Sequence, residues 1–234
     1  SLQTDVGDPF EADPKGPRTG WEHTSAYLVP FYLYGKEHPE YYAMDEKGRR
    51  VAALASQDPT FSIGTIHLCF SNPEVRRIAK ERLLEWIEKQ NDRRFFAVVQ
   101  SDGYGWCQCE ECKKLDTVPG QITSDRLLDF VNDLAGVVAR KYPDKILLTG
   151  AYTSFTGPPP TRLKPAPNVR VMYCPYPPET PCQGHGLKCE KNKKGLEWYR
   201  GWLKWCPDNL YIYDYPVWNL QLLEFTHEAI AEKL

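Results

Sequence analysis

Residues able to do chemistry crowd into one stretch, Phe95 to Leu115, FFAVVQSDGYGWCQCEECKKL. Asp102 stands in Ser101-Asp102-Gly103, which ends Phe95–Gln100, an apolar and β-prone run that reads as a strand buried on both faces. A carboxylate at a strand tip can take or give a proton. Gly103 and Gly105 then let the backbone turn sharply. Cys107, Cys109 and Cys112 come next, at C-x-C-x-x-C spacing. Thiolates so spaced suit a tetrahedral metal site that takes its fourth ligand from elsewhere in the chain. The chain has eight cysteines, and an even number equally permits disulfide pairing. Both readings stand at this level. An exported protein favours disulfides, a cytosolic one metal or free thiols.

The elements that must position these groups follow from pattern. Asn72 can cap a helix with Pro73 at its first position, where a missing N–H costs nothing. Val75, Ile78, Ala79, Trp86 and Ile87 recur behind it at helical spacing. Ser124 is the expected cap of a second helix, with Leu127, Phe130, Val131, Leu134 and Val138 on one face. Leu196, Tyr199, Trp202 and Leu203 mark a third. The expected strands are Thr65–Phe70, Phe95–Gln100, Lys145–Gly150, Val169–Cys174 and Leu210–Asp214, with Ala26–Tyr34 a sixth. A last helix is expected from Asn219. The segment 157–168, GPPPTRLKPAPN, is too proline-rich for an ordinary helix. Alternating strands and helices argue for a parallel sheet with crossover helices, as an open sheet or a barrel. No strand is followed by a glycine-rich phosphate-binding signature, so a nucleotide fold has no support.

The 234 residues are enough to bury a sizeable core. A formal net charge of −2 gives no electrostatic case for nucleic acid. No apolar run is long enough to span a bilayer. Residues 1–20 read as a flexible arm rich in Gly, Pro and Asp, and 21–234 as one folded domain. No signal peptide is read at Ser1, so a mature or excised piece is expected.

Three ordered stretches resemble a known bacterial family. The first is His23-Thr24, Leu28-Val29-Pro30 and His38-Pro39-Glu40-Tyr41-Tyr42. The second is Leu68-Cys69-Phe70-Ser71-Asn72-Pro73-Glu74-Val75. The third runs from Asp102-Gly103 to Trp106-Cys107-Gln108-Cys109-Glu110-Glu111-Cys112, with Ser124-Asp125 and Phe130-Val131-Asn132 behind it. Together they resemble domain of unknown function 4838. The resemblance implies a TIM (β/α) barrel related to glycoside hydrolases of the α-glucuronidase and hexosaminidase kind. A full barrel takes eight strand–helix units, more than the strands counted here, so an incomplete barrel or an excised part of one is expected. The resemblance also implies an exported protein that meets polysaccharide or oligosaccharide.

In such a barrel the site lies at the C-terminal ends of the strands. Glycoside hydrolysis commonly needs two carboxyl groups, and Asp102 with Asp214 is the first pair to name. Glu111, beside Glu110, is the reserve. Sugars present C–H patches that flat aromatic rings cover. Tyr104, Trp106, Tyr152, Tyr213 and Trp218 fall at or past strand ends, and His23 lies near another. Cys69 closes the strand before Phe95–Gln100. If the two strands are neighbours, it joins Cys107, Cys109 and Cys112 as a structural zinc or as two disulfides. Four thiolates leave zinc no open position, so no cofactor enters the expected reaction. The competing readings are a non-catalytic carbohydrate-binding module, with aromatics but no carboxylate pair, and a structural domain of a larger exported protein.

Overall fold

The computed structural model describes residues 23–55, 66–103, 105–174 and 188–213. The expected arm and the helix from Asn219 lie outside the described residues. Four strands form one parallel sheet: β1 (Phe95–Ala97), β2 (Ile146–Ala151), β3 (Val169–Tyr173) and β4 (Leu210–Ile212), in spatial order β1-β2-β3-β4. Phe96 faces Leu147, Leu147 faces Val169, and Val171 faces Leu210. The sheet is open among the described residues, so the established fold is α/β with a parallel four-stranded sheet.

Three long helices, α1 (Pro73–Lys89), α2 (Ser124–Lys141) and α3 (Lys193–Trp205), cover one face of it. The register puts Phe96, Val98, Leu147, Val169, Val171 and Tyr173 on that face. Phe96, Val98, Leu147 and Val169 share a core with Val75, Ile78, Leu83 and Trp86 of α1 and Phe130, Val131 and Leu134 of α2. Val171 and Tyr173 pack with Trp202 of α3. Burial of each such side chain contributes about 1.5–3 kcal/mol. The opposite face, Phe95, Ala97, Val99, Ile146 and Leu148 with Met172 and Tyr211, forms a separate cluster of strand residues.

The caps explain where the helices start. The Asn72 side chain accepts from the Glu74 and Val75 N–H groups at 2.9 and 3.3 Å, as its sequence predicts. Ser124, the expected cap of α2, is instead its first residue, and Thr123 holds the N-cap position. The Ser124 hydroxyl is turned to the carbonyls of Thr156, at 3.0 Å, and Pro158. It fastens the proline-rich segment rather than the helix end. That segment replaces a long crossover helix between β2 and β3 and lies along α2. The Asn132 amide donates to the Lys164 carbonyl at 2.9 Å and accepts from the Ala166 N–H at 2.8 Å.

Two expected strands are absent from the sheet. Ala26–Tyr34 forms the short helical turns Ser25–Leu28 and Phe31–Tyr34, broken at Pro30. Thr65–Phe70 is described from Ile66 onward and makes only an isolated antiparallel bridge, Leu68 to Tyr42. The free edge of β1 is met by a side chain instead. The buried Thr24 hydroxyl donates to the Ala97 carbonyl at 2.7 Å and accepts from the Val99 N–H at 3.0 Å. The Ser25 N–H continues the pairing to the Val99 carbonyl at 2.9 Å. Backbone groups that a neighbouring strand would satisfy are thus satisfied locally.

Candidate active site

The chain beyond β1 carries Asp102, and the chain beyond β2 carries Tyr152. Parallel pairing brings these C-terminal ends together. The Tyr152 hydroxyl donates to Asp102 Oδ1 at 3.4 Å. His23 closes the group, its ring centroid 6.3 Å from that of Tyr152. His23 Nδ1 donates to the Gln100 carbonyl at 2.9 Å, which leaves Nε2 as the basic nitrogen of the neutral ring. Three residues far apart in sequence, His23, Asp102 and Tyr152, therefore meet at one end of the sheet.

The backbone around them is constrained. His23 and Thr153 both hold positive φ, 55° and 65°, in the left-handed region that non-glycine residues seldom occupy. Such strain concentrates at functional sites, where surrounding structure enforces it. Gly103, at φ 81°, makes the turn after Asp102 without that penalty, and its N–H donates to Asp102 Oδ1 at 2.8 Å.

Asp102 is exposed, but its backbone is held from beneath. The buried His67 donates from Nε2 to the Asp102 carbonyl at 3.1 Å. Burial pushes the His67 imidazole down to about 4, so it is neutral near pH 7. Ser101 donates to the Ile66 carbonyl at 2.8 Å and meets the Ser25 hydroxyl at 3.3 Å. Trp106 packs on His67 at 4.9 Å and near Phe70 at 5.8 Å, between ring centroids. It is 3% exposed. The expected sugar-binding face of Trp106 is therefore not at the surface; its ring supports the Asp102 loop from the core.

The other expected site residues are placed as follows. Tyr213 directly follows β4, its N–H donating to the Tyr173 carbonyl at 2.9 Å. Glu111 lies on the short helix Glu110–Lys113, exposed and paired with Lys114 at 2.5 Å. Asp214, Tyr104 and Trp218 lie outside the described residues. A hollow of about 770 Å³, lined by Gln108, Asp116, Arg126 and Phe155 among others, opens beside the cysteine loop. Neither Asp102 nor His23 lines it.

The cysteines meet. The sulfurs of Cys69, Cys107, Cys109 and Cys112 all lie within 4.8 Å of one another, and the group could hold a metal ion. All four are free thiols. Cys69 reaches them although its segment is not a strand beside β1: it pairs with 41–43 instead, through Ala43 N–H to the His67 carbonyl and Cys69 N–H to the Tyr41 carbonyl, each at 2.9 Å.

The family can be assigned. The chain belongs to the family described as Domain of unknown function (DUF4838), whose model matches residues 8–227. No curated protein matches the chain, and no solved structure does. Within this DUF4838 chain the residues that carry the resemblance divide by role. Asn72 and Pro73 start a helix, Ser124, Asp125 and Asn132 fasten the proline-rich segment, the cysteines cluster, and His23 and Asp102 meet Tyr152.

Residues that the sequence did not single out complete the supports. Arg126, 1% exposed, pairs with Asp116 through Nε at 3.0 Å and through Nη2, and donates from Nη1 to the Cys107 carbonyl at 2.7 Å. His67 could have been found as the one histidine inside an apolar run. A charged residue at the start of an amphipathic helix gives no comparable signal for Arg126.

Proposed function

We propose that this DUF4838 chain is a carbohydrate-active domain, a glycoside hydrolase acting on polysaccharide, built on an arc of a (β/α) barrel. The observation that carries the reading is the meeting of His23, Asp102 and Tyr152 at the C-terminal ends of adjacent parallel strands. Sites of parallel α/β folds lie at that end. The arc is supported by the sequential strand order and by long helices gathered on one face; a doubly wound sheet would spread them over both.

In this reading Asp102 is one of the two carboxyl groups that glycosidic cleavage needs, and Asp214, the residue after Tyr213, is the other. Asp102 donates a proton to the leaving oxygen or takes one from water. Tyr152 and Tyr213 offer ring faces and hydroxyls to the sugar, with His23 a further polar contact. The cysteine cluster, as zinc or as disulfides, is structural and takes no part in bond breaking.

The test is turnover by the full-length protein across a panel of polysaccharides and aryl glycosides, compared with Asp102→Asn. Asn keeps the shape of Asp but cannot act as acid or base. A fall on the order of 10²–10⁴ is expected. Equal turnover by the variant would remove Asp102 from the reaction. Sugar binding without turnover across the panel would make this a binding module.

A further inference from the structure

We propose that Cys69, Cys107, Cys109 and Cys112 bind one zinc ion as a closed tetrathiolate, and that this ion fixes the loop carrying Asp102. The inference builds on the structural role given to the cluster above but not on the reaction given to Asp102.

Geometry separates zinc from disulfides. Four sulfurs about 2.3 Å from a central zinc form a tetrahedron with edges of about 3.8 Å. Cys69 Sγ lies 3.7 Å from Cys109 Sγ and 3.8 Å from Cys112 Sγ. Disulfides would bring the sulfurs together in pairs at about 2.05 Å. Cys69 is instead placed equally from two partners, as a corner of a tetrahedron is.

Ala43, Met44 and Val51 pack against the cluster, but polar donors also reach its sulfurs. Four thiolates around a divalent ion leave an excess charge of −2. The Met44 N–H donates to Cys107 Sγ at 3.3 Å, and the Arg50 guanidinium stands 4.0 Å from the same sulfur. The Ser71 hydroxyl lies 3.2 Å from Cys112 Sγ, 3.6 Å from Cys69 Sγ and 3.7 Å from Cys109 Sγ. Cysteines that only fill space need no such donors. Donors around thiolate ligands orient them and offset their charge. An all-sulfur tetrahedral set selects zinc or iron among common metals, and with no open position the ion is structural.

The same ion would join the two segments between which Asp102 hangs. Cys69 lies two residues beyond His67, which holds the Asp102 carbonyl. Cys107 follows Asp102, and its own carbonyl is held by Arg126. Tying sulfurs from both segments to one centre sets the span that the Asp102 turn must bridge.

The experiment is elemental analysis of the full-length protein, purified under reducing conditions and equilibrated with zinc, with mass-spectrometric mapping of alkylated cysteines before and after metal removal by a strong chelator under reducing conditions. About one zinc per chain is expected, with Cys69, Cys107, Cys109 and Cys112 blocked until the metal leaves. Hydrogen exchange should then speed up at 66–70 and 101–108. Cobalt in place of zinc should give the intense sulfur-to-metal charge-transfer bands of a tetrahedral thiolate site. Cys112→Ser should lose the metal; Cys206→Ser, at a buried thiol whose hydrogen bond goes to the Trp202 carbonyl, should keep it. Because the wild-type measurements stand alone, an unfolded Cys112→Ser does not blunt the test. A metal-free protein with these four cysteines open to alkylation, a disulfide among them, or iron in place of zinc would overturn the proposal. Glycan turnover is not read, so failure of the hydrolase reading leaves this result unaffected.

Discussion

The Tyr152 hydroxyl and the Asp102 carboxylate meet at 3.4 Å across the ends of two neighbouring strands. The contact is long for an O–H donor, so it orients Asp102 more than it holds it. Tyr152→Phe removes the hydroxyl and keeps the ring. A hydrogen bond to a charged group contributes about 1.5–3 kcal/mol, and a long one falls at the low end, which is about tenfold in rate. Under the proposed hydrolase reading, kcat/KM on a sugar substrate should therefore fall about tenfold while the urea midpoint stays near that of the wild type. An unchanged kcat/KM would take Tyr152 out of the site.

Thr24 performs the work of a missing strand with one side chain. Thr24→Val keeps the branched shape and removes the hydroxyl. The Ala97 carbonyl and Val99 N–H then lose the partner that reaches them at 2.7 and 3.0 Å. Each buried group left unsatisfied costs about 1–3 kcal/mol, so for the two groups a loss of about 2–6 kcal/mol is expected in chemical denaturation. Thr24→Ser, which keeps the hydroxyl, should cost much less. Equal losses in the two variants would show that packing, not bonding, is what Thr24 supplies.

Arg126 and Asp116 form a nearly buried ion pair, with side chains 1% and 6% exposed. Removing one partner strands a buried charge and costs about 3–5 kcal/mol. Arg126→Met should therefore lower unfolding stability by that amount. The double variant Arg126→Met with Asp116→Leu removes both charges and should recover much of the loss. No recovery would mean that the bonds the pair makes outside itself, from Arg126 to the Cys107 carbonyl and from the Thr123 N–H to Asp116, carry the stability.

Much of this arrangement is legible in the sequence because its signals are local. Asn72-Pro73 sets a helix start through bonds within three residues. The run Phe95–Gln100 contains β1, and the apolar rows of α1 and α2 appear at helical spacing. The cysteine cluster was readable from C-x-C-x-x-C plus one earlier thiol, although the neighbouring-strand argument for Cys69 differs from how the chain brings it there. The misplaced features depend on distant partners. Ala26–Tyr34 is apolar enough for a strand, but Pro30 and the Thr24 contact to β1 turn it helical. Ser124 reads as a cap until the proline-rich segment, more than thirty residues on, claims its hydroxyl. Trp106 reads as a surface ring because it follows a strand end, and only the packing of His67 and Phe70 draws it inward.

Asp125 yields the pH prediction. It is fully buried. Its carboxylate accepts from the N–H groups of Thr161, Arg162 and Leu163 at 2.8, 2.9 and 2.6 Å, and from the Thr117 hydroxyl at 3.0 Å. Desolvation works to raise its pKa, but the backbone bonds from Thr161, Leu163 and Arg162 outweigh it and hold the carboxyl below its ordinary value. A lowered folded pKa means that the unfolded chain binds the proton first as pH falls. The stabilisation is then complete above the unfolded carboxyl value of about 3.9 and is lost progressively below it. Urea midpoints should be flat in this contribution from pH 7 to 5 and fall below about pH 4. Asp125→Asn should be destabilised already at pH 7, because one amide oxygen cannot serve the whole donor set, at about 1–3 kcal/mol for each N–H left orphaned. It should also show a shallower acid slope, since this position no longer titrates. An acid slope as steep as that of the wild type would assign the pH dependence to other carboxyl groups.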